Sequence, residues 1–295
     1  MTTNTERASA VEVLGKDGAM TMLALDQRGS LRTILAAGRD ESTISDNDIR
    51  AFKKTAISVM SDIASAVLLD SELGDEAIAA LPSTTPLILS ADVFEQPPGQ
   101  FVLRSRVDPS LTAERIHELG ASALKLLMIW KPNVDVEFRA TEVAKFVELA
   151  RSAGVVSLLE GIVRTDDGDR YPDVESHGEA VLAAAKELAA FGPDVYKAEV
   201  PGYQPGQLDR VEEYAGRVTQ ALPMPWVVLS NGVEAADFAE AVRHAVTGGA
   251  SGFLAGRAIW ADAAASDDPH GALESLSRGR LENLIDIVRG ARHDR

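Results

Sequence analysis

Lys197, in the run VYKAEVP, stands inside an otherwise apolar strand. Alternation with a period of two puts Val195, Lys197 and Glu199 on one side of that strand and Tyr196, Ala198 and Val200 on the other. If the first set faces a barrel lumen, an ammonium is buried there, which costs several kcal/mol or lowers its pKa. A lowered pKa suits imine formation, because only the free amine attacks a carbonyl. A structural ion pair with a neighbouring carboxylate is the competing reading of this residue. Lys125, flanked by Leu124 and Leu126, adds a second lysine to the same interior, and its charge would favour the neutral form of Lys197. Glu160, on the strand between them, can pair with Lys125 and exchange protons with a substrate hydroxyl, and Asp26 can hold a hydroxyl or orient a lysine. Together the four residues are read as a proton-handling set, since a purely structural network of this kind is an expensive way to fill a core.

A second constellation pairs Ser230, Asn231 and Gly232 (SNG) with Ala255, Gly256 and Arg257 (AGR). Glycine N–H groups, a helix N-terminus and an arginine fork after the last two strands make an anion site. Two ordinary strand-to-helix turns are the alternative. The five histidines, His117, His177, His244, His270 and His293, show no ligand spacing on strand ends, so a zinc-dependent reaction is disfavoured and no metal or cofactor is expected. Asp70 and Asp92 also end strands. They are read as acceptors for loop N–H groups rather than as Mg²⁺ ligands.

Eight short apolar runs position these residues: Met20–Asp26, Ala64–Asp70, Pro86–Asp92, Ala123–Trp130, Val155–Ile162, Val195–Val200, Trp226–Gly232 and Gly252–Arg257. Seven of the eight intervals carry helical spacing, among them Asn47–Ile63, Glu137–Ala153, Glu179–Phe191 and Glu234–Thr247; the second-to-third interval holds only Asp75–Ala80. Apolar strands alternating with amphipathic helices predict a parallel sheet, and eight such units predict an α/β (β/α)₈ barrel occupying residues 1–295 as one domain. Asp267–Arg295 predicts extra C-terminal helices, one over Leu273–Ala291. A doubly wound open sheet is the competing arrangement, weakened because no G-x-G-x-x-G follows the first strand. In a barrel the active site lies at the C-terminal strand ends, where the polar residues above collect.

With 29 Lys and Arg against 45 Asp and Glu, the formal charge of −16 disfavours nucleic-acid and membrane partners. An anionic substrate would need a local cluster of cations and N–H groups. The absence of cysteine excludes disulfides, thiolate–zinc sites and thiol nucleophiles. No run is long enough to span a membrane and the first residues lack signal-peptide character, so a cytoplasmic protein acting on a small molecule is expected, with assembly into a homo-oligomer.

The runs ALDQRGSL (24–31), LKLLMIW (124–130), LLEGIVR (158–164), VYKAEVP (195–201), PWVVLSNGV (225–233) and GASGFLAGRAIW (249–260) closely resemble the tagatose-bisphosphate aldolase family over nearly the whole chain. Within it they are most similar to the sulfofructose-1-phosphate aldolases of sulfoquinovose breakdown. The resemblance implies that Lys197 is the Schiff-base lysine, Glu160 the acid–base residue, and Lys125 and Asp26 their partners. It places Gln27 and Arg28 beside the substrate and gives Ser230, Gly232, Gly256 and Arg257 the anionic end. Tyr196, IVR after Glu160 and GFLAGRAIW favour the sulfosugar branch, whereas SNG and LLEGIV depart from its usual residues. The implied reaction is metal-free cleavage to dihydroxyacetone phosphate and sulfolactaldehyde. Tagatose or fructose 1,6-bisphosphate cleavage is the alternative substrate reading. A non-catalytic sugar-phosphate sensor and a phosphate-binding barrel isomerase or decarboxylase are the alternatives of other classes. Arg28, Ser30 and Arg164 are candidates for the aldehyde-end pocket.

Overall fold

A computed structural model describes residues 9–96 and 102–293. Eight of its ten strands close into a parallel barrel: β1 (Met20–Ala24), β2 (Val67–Leu69), β3 (Leu87–Ser90), then, after a hairpin β4 (Asp92–Glu95) and β5 (Arg104–Val107), β6 (Ala121–Trp130), β7 (Val156–Val163), β8 (Val195–Ala198), β9 (Trp226–Val228) and β10 (Gly252–Ala255). Neighbours in the ring follow chain order, and β10 pairs with β1 to close it. All eight predicted runs are barrel strands. The hairpin was not anticipated: β4 and β5 pair antiparallel, Asp92 opposite Val107 and Glu95 opposite Arg104, so the third run leaves the barrel at Ser90 and Asp92 belongs to the excursion.

The helices are α1 (Ala10–Leu14), α2 (Gly29–Ala36), α3 (Asp46–Met60), α4 (Asp75–Ala80), α5 (Ala113–Glu118), α6 (Val136–Ser152), α7 (Val174–Ala189), α8 (Val211–Ala221), α9 (Phe238–Thr247), α10 (Arg257–Ala264), α11 (Pro269–Ala272) and α12 (Arg278–His293), with a π-helical turn, Leu273–Ser277, leading into α12. Five of them, α1, α3, α5, α7 and α11, begin at a side-chain cap. Ser45 and Asp48 form a capping box on α3, and Asp173 caps α7 by accepting from Ser176 N–H. That aspartate is why α7 starts five residues before the Glu179 expected from periodicity. No helix among the described residues is long and apolar enough to cross a membrane.

Two apolar clusters separate on the alternation of the strands. Leu23, Val67, Leu89, Leu124, Leu159, Tyr196, Ala198 and Phe253 pack outward against the helices. Met20, Met22, Ala24, Leu68, Ile88, Ala123, Val156, Leu158, Val195, Val227 and Leu254 fill the lumen, joined by Ala10 and Leu14 of α1, whose short capped helix packs against this inner cluster. Continuing the inward parity toward the C-terminal ends turns the lumen polar: Ala24 leads to Asp26, Ala123 to Lys125, Leu158 to Glu160 and Val195 to Lys197.

Candidate active site

Lys197 is 5% exposed, and its Nζ donates to Glu160 Oε2 at 3.0 Å. The pairing is set by register, because Glu160 on β7 lies directly opposite Lys197 on β8. Lys125 Nζ sits among three carboxylates, Asp26 Oδ2 at 2.8 Å, Asp92 Oδ2 at 2.9 Å and Glu160 Oε2 at 3.4 Å. The expected set of Lys197, Glu160, Lys125 and Asp26 is therefore brought together, and one Glu160 oxygen is shared by both lysines. Asp92 is the member that sequence reasoning missed. It was read as an acceptor for loop N–H groups, and it does accept a backbone bond, from Leu127 N–H of β6 at 3.0 Å, but Lys125 is its charged partner. Asp70 behaves as expected of a strand-end acceptor, taking Glu72 and Leu73 N–H, and pairs in addition with buried Lys53.

Burial alone would raise the Asp26 pKa, but Lys125 and then Lys197 outweigh it and hold the carboxyl down to about 2. Burial likewise opposes the Lys125 charge, and Asp26, Asp92 and Glu160 overcome it, pushing Lys125 well above the usual lysine range. Lys125 is thus an ammonium at every working pH. A depressed carboxyl contributes stability that is present above its unfolded value near 4 and is lost as pH falls through about 2. Urea midpoints measured from pH 5 to 2 are expected to show wild type losing on the order of 2 kcal/mol that Asp26→Asn never had. Parallel pH profiles for the two proteins would contradict this placement of the charge.

Above the lysines, the ends of β9 and β10 meet as predicted. The Arg257 guanidinium donates to Asn231 Oδ1, and Ser230 lies buried at the start of the same turn. Gly232 has φ +83°, a left-handed conformation that a side chain rarely adopts. Gly256 is required by close approach, since a Cβ there would stand 2.5 Å from the Ala24 carbonyl and 3.3 Å from Gln27 Nε2. No side chain caps α10, which leaves its first N–H groups for an anion. Gln27 Oε1 is buried without a hydrogen-bond partner, as an acceptor awaiting a substrate hydroxyl would be.

Arg28 lies at the start of α2, beside Asp26 and Gln27. Its guanidinium donates to Glu72 at 3.2 Å and to Asp92 Oδ1 at 3.3 Å and stacks 5.0 Å over the Phe94 ring, so it clamps the hairpin to the end of β1. Arg164 donates to its neighbouring Val163 carbonyl and lies 3.6 Å from Glu199, while Ser30 is on α2. A further cation reaches the rim: Arg170, between β7 and α7, brings Nη1 to 3.9 Å from the position of a Gly232 Cβ. It sits in TDDGDRYP, an acidic stretch that reads as a surface turn, so no local signal marked it.

Buried Lys–Glu contact, a fixed ammonium and an anion-ready rim suit proton transfer beside a carbonyl. Residues 20–262 match the DeoC/LacD family aldolase description. The chain is a DeoC/LacD family aldolase. Tagatose 1,6-diphosphate aldolase of Listeria monocytogenes serotype 4a (strain HCC23) is 29% identical over 269 residues, 83% of this chain and 78% of that one. Tagatose 1,6-diphosphate aldolase 2 of Streptococcus pyogenes serotype M1 is 27% identical over 317 residues, 97% of this chain and 95% of that one. Among solved structures, a Corynebacterium glutamicum protein superposes with a TM-score of 0.70 at 18% identity, covering 94% of this chain and 88% of that one. An archaeal fructose-1,6-bisphosphate aldolase, solved with its catalytic Lys covalently bound to the carbinolamine intermediate of the substrate, gives 0.63 at 16% identity, covering 94% and 97%. At these identities the structural likeness concerns the barrel. Family membership makes the protein an enzyme, an aldolase and hence a lyase.

One expected marker of substrate loses its direct meaning in the aldolase fold. Tyr196 points out of the lumen, where its hydroxyl would meet a Gly161 Cβ at 2.1 Å, and it packs between barrel and helices.

Proposed function

We propose that the aldolase cleaves 6-deoxy-6-sulfofructose 1-phosphate to dihydroxyacetone phosphate and sulfolactaldehyde through an imine on Lys197. The observation that carries the chemistry is the 3.0 Å contact between Lys197 Nζ and Glu160 Oε2 in a buried lumen. Glu160 takes a proton from Lys197, and the free amine adds to the ketose C2 carbonyl. Glu160 returns that proton to the carbinolamine hydroxyl, which leaves as water, and the protonated imine so formed accepts the C3–C4 electron pair. Glu160 removes the C4 hydroxyl proton, the bond breaks and the aldehyde leaves. The enamine is protonated at C3, and water releases dihydroxyacetone phosphate and the amine. Lys125, already an ammonium, holds Glu160 and stabilises negative charge rather than relaying the proton. Ser230, Gly232, Gly256 and Arg257 take the anionic end, Asn231 orients Arg257, and Asp26 and Gln27 face substrate hydroxyls.

The sulfonate end rests on the motif resemblance, chiefly IVR after Glu160 and GFLAGRAIW. Cleavage of tagatose 1,6-bisphosphate is the second reading, favoured by the Listeria and Streptococcus relatives, both tagatose 1,6-diphosphate aldolases by name. A sulfonate carries one charge where a phosphate monoester carries up to about two, so donor number at the far end separates them. The deciding measurement is kcat/KM for sulfofructose 1-phosphate against tagatose and fructose 1,6-bisphosphates. At least about a hundredfold preference for the sulfosugar is expected, equivalent to about one lost charged hydrogen bond. A preference for either bisphosphate would transfer the assignment to the second reading.

A further inference from the structure

We infer that Asp92 is a positioning residue of the aldol reaction, holding Lys125 against the barrel wall so that Glu160 remains shared with Lys197. An ammonium has three N–H donors, and Lys125 meets three carboxylates, with Glu160 the longest contact at 3.4 Å against 2.8 Å for Asp26 and 2.9 Å for Asp92. Two of the three directions are thus set by residues other than the proposed base. Asp92 is itself fixed on every side. Its Oδ2 accepts Leu127 N–H at 3.0 Å, two residues beyond Lys125 on the same strand, where β3 has already left the barrel. Its Oδ1 accepts from Ser90 Oγ at 2.6 Å and Arg28 Nη2 at 3.3 Å. A carboxylate with four donors and no exposed side-chain surface cannot follow Lys125 if the lysine moves; it sets where the lysine stands.

Both lysine contacts to Glu160 fall on Oε2, so the two compete for one oxygen. With Asp92 neutralised, Lys125 keeps its charge through Asp26 and turns its freed donor toward Glu160. The base is then bound more tightly to a permanent cation and less available to Lys197 and to the substrate hydroxyl. Loss of a neighbouring negative charge acts in the same direction, making the Glu160 carboxyl harder to protonate. The other charges facing this group are Asp26 and Arg28 from the end of β1, the Lys53–Asp70 pair behind them, Lys197 on β8 and Arg257 at the rim. Of these, Arg28 is the one in contact with Asp92. Arg28 bears on Asp92 with the opposite sign, so removing its charge should strengthen the hold of Asp92 on Lys125.

The inference rests on the Lys197 and Glu160 assignment, and the test separates the two. Borohydride reduction of wild type with dihydroxyacetone phosphate comes first; an adduct on Lys125, or none, rejects the assignment itself. With the adduct on Lys197, Asp92→Asn is expected to lower kcat at least about tenfold with KM within about threefold. It should also move the acidic limb of the kcat profile to lower pH by about half a unit or more. Arg28→Gln should move that limb to higher pH. A role confined to docking the hairpin would lower the melting temperature in both variants and leave both limbs where wild type has them. Unmoved limbs, or limbs moving the same way, would overturn the inference. If Asp92→Asn does not fold, the direction of the Arg28→Gln limb alone decides it.

Discussion

Lys197→Met is expected to lower kcat by about four orders of magnitude or more with the fold intact, because the variant keeps the volume of the side chain and loses the amine proposed to form the imine. Structural cost is small for a specific reason. Glu160, the partner of Lys197, retains the Lys125 ammonium at 3.4 Å, so no buried carboxylate is left without a cation. Lys197→Arg should be as inactive, since a guanidinium keeps the charge but is no nucleophile at neutral pH. Steady-state turnover and mass spectrometry of borohydride-treated protein check both variants. Residual activity above about one per cent of wild type, or a triose still attached to the variant, would sink the assignment.

Lys125→Met should do more harm to stability than any other substitution in the lumen. It leaves Asp26, Asp92 and Glu160 as three carboxylates around an apolar side chain, with Lys197 on Glu160 and Arg28 on Asp92 as the cations still in contact. Breaking one buried pair typically costs about 3–5 kcal/mol, and urea unfolding near neutral pH should show at least that loss. The sign of its pH dependence is the sharper test. In wild type, Lys125 holds Asp26 at about 2; without it burial dominates, the carboxyls take up protons more readily, and the deficit shrinks as pH falls from 7 towards 4. A deficit constant across that range would mean that the missing interaction is packing rather than charge.

The readable parts of the site were those with a local signature. A charged residue in a short apolar run, such as Lys197 or Lys125, is conspicuous against its neighbours, and a period of two tells which residues share its face. The hairpin residues had no such signature. DVFE and RSRV are four-residue segments of mixed polarity with no helical spacing, and their pairing joins residues well apart in the chain, from Glu95 with Arg104 to Asp92 with Val107. Asp92 looked like the last residue of a strand because the run before it is continuous; the barrel strand ends two residues earlier, at Ser90, and the Asp92 carboxylate meets Lys125 from the hairpin. Arg28, next to Asp26 and Gln27, carries no local sign of its contacts with Glu72, Asp92 and Phe94, which lie more than forty residues away in the chain.

By itself the sequence determined the order of eight strands and their helices, the inward parity of Lys197, Lys125, Glu160 and Asp26, and the meeting of SNG with AGR. Each follows from alternation, apolar content or turn chemistry within a few residues. Tertiary structure alone decided which oxygen each lysine shares, that Asp92 completes the ammonium cage, and that Arg170 comes to lie beside Gly232. These depend on strand register and on barrel closure, which bring together side chains far apart in the chain; no local pattern encodes the distance between them.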